Sequence, residues 1–128
     1  MRLLRFFALA VVALVLGAGA LAAQQARTLE GTLVDGKCYL MNHANTGNDH
    51  GTMKACGTMC LKGGSPAAVL TKDGQVHPIM AAAVSFADIV GQTVRVTGPV
   101  EGSSVLATKV EVSRGGRWEE VKLLGMQG

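Results

Sequence analysis

Gln92-Thr-Val-Arg-Val-Thr-Gly-Pro-Val100 sets apolar Val94 and Val96 between polar Thr93, Arg95 and Thr97. A side-chain period of two puts the valines on one face and the polar residues on the other, which predicts a half-buried β-strand. Ser104–Val112 repeats the pattern after a Gly102-Ser103 turn, so the two stretches read as a hairpin. Upstream, Ala67–Leu70 and Val76–Met80 flank Lys72-Asp73-Gly74, where Asp-Gly marks a second tight hairpin. Thr28–Asp35, with Leu29 and Leu33 four apart and β-branched residues between, predicts a first strand. Trp118–Leu124 predicts a last one with Val121 and Leu123 inward, and Ser85–Val90 one helical turn. The sum is a mainly β domain with short helices, a small OB-fold-like barrel, with another small barrel or roll as the alternative.

The pattern breaks at residues 36–66, between the first strand and the first hairpin. Tyr39–Thr52 holds three asparagines, Asp49 and two glycines, a loop composition with no periodic apolar face. Thr52–Lys62 predicts a short helix with Thr52 as N-cap, Ala55, Met59 and Leu61 for packing, and Gly63-Gly64 as the stop before Pro66. Gly57 weakens that helix.

This insertion carries Cys38, His43, His50, Cys56 and Cys60: all three cysteines and two of the three histidines within 23 residues. Cys56 and Cys60, four apart, share one helix face, a spacing at which two side chains reach one metal ion and not the geometry of a disulfide. With Cys38 and a histidine they form a Cys3His set, which suits tetrahedral zinc. The same soft donors, with Met41, Met53 and Met59 nearby, suit Cu(I). The methionines are left outside the ligand set, because methionine more often fills gaps in a core. His50 is the better histidine ligand: it is closer to the cysteine pair and precedes Gly51, which lets the backbone turn into the helix. His43 is the second candidate, and His77, before Pro78 in a hairpin strand, reads as structural or surface. Asp35 and Lys37 flank Cys38 and could tune its thiol, although charges at a strand end are usually solvated. The competing reading is a disulfide from Cys38 to Cys56 or Cys60, closing a loop of about 20 residues and worth roughly 3 kcal/mol, with one thiol left over.

Gly31-Thr-Leu-Val-Asp-Gly-Lys-Cys-Tyr39, His50, Cys56, Cys60-Leu-Lys-Gly-Gly-Ser-Pro66 and Gly91-Gln-Thr-Val-Arg-Val-Thr-Gly98 together resemble a poorly characterised family of small exported bacterial OB-fold-like proteins with a Cys/His-rich loop. The resemblance spans nearly all of the chain after residue 22. It implies the fold and brings no activity with it.

Arg2 and Arg5, apolar Phe6–Leu16 and Ala20-Leu21-Ala22 predict a cleaved signal peptide over residues 1–22, leaving one domain over 23–128 in the periplasm or outside the cell. The apolar run is interrupted by Gly17 and Gly19, short of the roughly 20 residues a membrane span needs, so no membrane attachment is expected after cleavage. Removing Arg2 and Arg5 leaves 10 Lys and Arg against 9 Asp and Glu. A near-neutral chain with scattered aromatic residues excludes a nucleic-acid surface. No serine-histidine-carboxylate set, close acidic pair with a substrate cleft or Cys-x-x-Cys is recognisable, so no enzyme is expected; a Cys38–His43 thiol pair is the sharpest catalytic alternative. The reading is an exported protein binding zinc or copper, with an envelope protein as a further partner. The alternative is a disulfide-stapled interaction module for a protein or glycan. The oligomeric state is not legible.

Overall fold

The computed structural model describes residues 25–125; the signal peptide expected over 1–22 lies outside the described residues. The element order is β1 (Arg27–Asp35), α1 (Gly36–Met41), α2 (Cys56–Lys62), β2 (Ala67–Thr71), β3 (Val76–Met80), a 3₁₀ segment (Ala83–Ile89), β4 (Thr93–Gly98), β5 (Val100–Glu101), β6 (Ser104–Leu106), β7 (Lys109–Arg114) and β8 (Arg117–Glu120). The mainly β expectation is met, and both hairpins form where Asp73-Gly74 and Gly102-Ser103 mark the turns. In α1, by contrast, six residues expected to be strand end and loop form a helical turn.

The strands make one sheet in the order β5-β6-β3-β2-β1-β4-β7-β8. It is curled but not closed, so barrel describes it loosely. The curl comes from the second hairpin. β4 runs through Pro99 into β5, and the bend is held by Leu106 N–H donating to the Pro99 carbonyl at 2.9 Å and Thr108 N–H to the Thr97 carbonyl at 2.8 Å. One arm of the hairpin pairs antiparallel with β1, while β6 pairs in parallel with β3 through Ile79 and Val105. Taking β4–β5 and β6–β7 as two bent strands gives the partly open five-stranded arrangement of an OB-like fold, with β8 added at an edge.

Val94, Val96, Val105, Val110 and Val112 are buried, as their alternation requires, and with Leu33, Val69 and Phe86 they form the main core. Leu61 of α2 is fully buried in the same cluster, so this helix closes one side of the core. A second small cluster, Val34, Tyr39 and Ala68, buries the opposite face of β1. Here α1 folds back over the sheet, which is why Leu33, Val34 and Asp35 are buried in succession where alternation alone would expose one. Val121 and Leu123 pack against the core as expected, but beyond the end of β8. Trp118 anchors that edge, with the Arg95 guanidinium 4.0 Å from the ring centre.

Candidate metal-binding site

The insertion begins and ends at one point. Gly36 N–H donates to the Pro66 carbonyl at 2.8 Å, and Ser65 Oγ donates to Asp35 Oδ1 at 2.6 Å. Asp35 Oδ1 also accepts from the backbone N–H groups of Lys37 at 3.1 Å and Cys38 at 3.3 Å, which makes Asp35 the N-cap of α1. The cap starts a helical turn that carries Cys38 back over the end of the strand.

The second helix starts at Cys56, four residues later than expected. Thr52 is not its cap, because Ala55 adopts a left-handed φ of 52° and breaks the helical run before Cys56. Residues 50–53 instead form a tight turn, with paired backbone hydrogen bonds between His50 and Met53 at 3.0 and 3.1 Å. The helix N-terminus is satisfied from a distance: the Asn48 carbonyl accepts from Gly57 N–H at 2.9 Å and Asn48 Oδ1 from Thr58 N–H at 2.8 Å. Gly57 has a packing reason to be there. A Cβ at this position would stand 2.7 Å from Val90 Cγ1 and 3.1 Å from Asn48 Oδ1, so only glycine allows α2 this close to its neighbours. Met59, expected to pack, is exposed, while Leu61 packs as expected.

These contacts bring four of the five expected ligands into two overlapping groups that share Cys38. Cys38, His50 and Cys56 present donor atoms within 4.8 Å of one another, and so do Asp35, Cys38 and Cys60. The Cys56 and Cys60 sulfurs are 4.0 Å apart. A tetrahedral ion with metal–sulfur bonds of about 2.3 Å has sulfur–sulfur edges of about 3.8 Å, whereas a disulfide bond is about 2.05 Å. All three cysteines are free. The disulfide of the competing reading is therefore not formed, and the Cys/His groups are close enough to hold a metal ion.

His50 is 5% exposed, and its Nε2–H donates to the Gly47 carbonyl at 3.1 Å. Its Nδ1 is buried without a hydrogen-bond partner. A histidine that donates one ring N–H to a backbone carbonyl and keeps the other nitrogen unpaired has the orientation of a metal ligand. His43, the fifth expected ligand, is in neither cluster. Its ring is exposed and stacks on Tyr39, with centroids 4.8 Å apart and planes 16° from parallel. His77 is used structurally, with Nδ1 2.9 Å from the Ser103 carbonyl.

Asp35 is the residue the sequence reading undervalued. It is 0% exposed rather than a solvated strand end, and Oδ2 is buried without a partner. Burial alone pushes its carboxyl up, but the hydrogen bonds from the Ser65 hydroxyl and the Cys38 backbone, together with the neighbouring Cys38 and Cys60 thiols, outweigh that and hold it below the usual range. Conversely, burial and the adjacent Asp35 carboxylate push the Cys38 thiol up to about 12, and the Cys60 thiol also rises. An activated nucleophile needs the opposite shift. With His43 turned away onto Tyr39, the Cys38–His43 thiol pair is not assembled. Asp35 could have been suspected from its place two residues after inward Leu33, on the same strand face.

Met41 and Met53, set outside the ligand set above, line the same cleft of about 650 Å³ as Cys38, Cys56 and Cys60. Among the described residues no helix is long and apolar enough to cross a membrane. The chain matches no protein-family model, no curated protein and no solved structure.

Proposed function

We propose that this is an exported, non-catalytic protein that holds a zinc or copper ion at Cys38, His50, Cys56 and Cys60 in the cell envelope, with an envelope protein as its exchange partner. The observation that carries the reading is the buried, unpartnered His50 Nδ1 beside the free thiols of Cys38 and Cys56, with Cys60 4.0 Å from Cys56. A buried polar nitrogen without a partner costs about 1–3 kcal/mol, and a bound cation removes that cost. Asp35 Oδ2, equally unpartnered beside Cys38 and Cys60, supplies a negative charge next to the ion. The ion would tie residues 42–55, a segment that places no side chain in the main core, to the cysteine helix.

Native mass spectrometry of the protein purified from an envelope fraction, with elemental analysis and thiol counting before and after chelation, tests this. One zinc or copper per chain, with three thiols becoming reactive on chelation, is the expected result. A metal-free chain two hydrogens lighter than the reduced mass would overturn it.

A further inference from the structure

The cleft over the thiols is open, and its rim has an unusual composition. Met41 is 76% exposed and Met53 57% exposed, although methionine ordinarily fills gaps in cores. Both line the cleft that reaches Cys38, Cys56 and Cys60. Exposure alone does not mark them, because Met59 and Met80 are as exposed, at 60% and 56%, and neither lines this cleft. Among the described residues the only charged one lining the cleft is Lys37, a cation; the Asp35 carboxylate lies beneath it, fully buried beside Cys38 and Cys60. A rim with that charge does not concentrate divalent ions by electrostatics, so capture there depends on soft-donor bonding. Thioethers bind Cu(I) and bind zinc poorly. The cleft gives the cysteines an approach from solvent.

We propose that Met41 and Met53 are landing ligands through which Cu(I) enters and leaves the thiol site, making this a copper-exchange site rather than a structural zinc centre. The inference rests on the metal-holding reading above and names its ion. In the exchange, Cu(I) held by the two thioethers passes to the sulfurs below, and each thiol that binds releases its proton to water. The copper stays monovalent throughout, so no oxidant or reductant takes part. The reverse path returns the ion to the rim, within reach of a partner's own soft ligands.

Two measurements test the proposal on the protein without its signal peptide. With methyl-¹³C methionine, one equivalent of Ag(I), a redox-inert surrogate for Cu(I), should shift the Met41 and Met53 methyl signals and leave Met59 and Met80 in place; Zn(II) should shift neither rim methyl. In the Met41→Leu/Met53→Leu variant, anaerobic uptake of Cu(I) from a chromophoric chelator should slow by about tenfold or more, the lower range for losing a partner next to a metal site. Its zinc affinity and melting temperature should be unchanged. Equal shifts at Met41, Met53, Met59 and Met80, or undiminished Cu(I) uptake by the variant, would overturn the landing role while leaving the thiol site standing. A wild-type chain that binds neither ion would overturn both readings.

Discussion

His43 stacks on Tyr39 with ring centroids 4.8 Å apart, while His50, seven residues further on, is buried with one nitrogen on the Gly47 carbonyl and the other unpartnered. The histidine nearer Cys38 in sequence is thus the one that turns away. Tyr39 explains why: its ring covers Val34 and Ala68, and it offers His43 a flat apolar surface at the mouth of the loop.

The two histidines should therefore respond differently to mutation. His50→Ala should weaken metal binding by about 100-fold or more, beyond the 10–100-fold typical of an outer partner. His43→Ala should leave affinity within about twofold and cost about 0.5–1.5 kcal/mol of stability from the lost stack. Competition against a chromophoric chelator, with thermal melts of both variants, checks this; equal affinity losses would mean that the ligand assignment is wrong.

Gly57→Ala sets two opposing effects against each other. Alanine gains up to about 1 kcal/mol in helix propensity. Its Cβ, however, would stand 2.7 Å from Val90 Cγ1, and overpacking of this kind costs about 1–3 kcal/mol. The clash should prevail, giving a net loss of about 1 kcal/mol in denaturant titration. Because the same Cβ crowds Asn48, which caps the cysteine helix, metal affinity should fall as well. A variant more stable than wild type would show that the helix relaxes away from Val90 freely.

In the first hairpin, the Thr71 hydroxyl donates to the Asp73 carboxylate and holds it below the usual carboxylate range. A carboxyl whose folded pKa is depressed adds stability above its unfolded pKa of about 4 and loses that contribution as pH falls through the folded value. Wild type should thus melt higher than Asp73→Ala at pH 7, and the difference should narrow as the pH is lowered below 4. A gap that stays constant from neutral to strongly acidic solution would assign the effect to turn geometry instead of charge.

The strands were largely legible because their instructions are local. Alternation at Val94 and Val96 and turn chemistry at Asp73-Gly74 each act within a few residues. The ligand set was legible as residue types, and four of its five members fall in two overlapping clusters that share Cys38. What could not be read depends on partners far away in sequence. Asp35 is buried because Ser65, thirty residues on, donates to it. The cysteine helix starts late because Asn48, nine and ten residues upstream of Gly57 and Thr58, satisfies their N–H groups in place of a local cap. The bend that curls the sheet sits at Pro99, yet the hydrogen bonds that hold it come from Leu106 and Thr108.

The clasp between Asp35-Gly36 and Ser65-Pro66 has an evolutionary corollary. Asp35 and Ala67 are already paired across β1 and β2, so everything from residue 36 to 66 hangs from adjacent points of the sheet. Closing a longer or shorter excursion between fixed, neighbouring ends changes loop entropy only slowly, by about 0.6 kcal/mol per doubling of length. The excursion can accordingly gain, lose or exchange residues without shifting the register of any strand. The excursion is a cassette with two moorings, the clasp at its ends and the face of α2 that sends Leu61 into the main core and the Thr58 hydroxyl to the Ala87 carbonyl, so its freedom to vary lies in the residues between them.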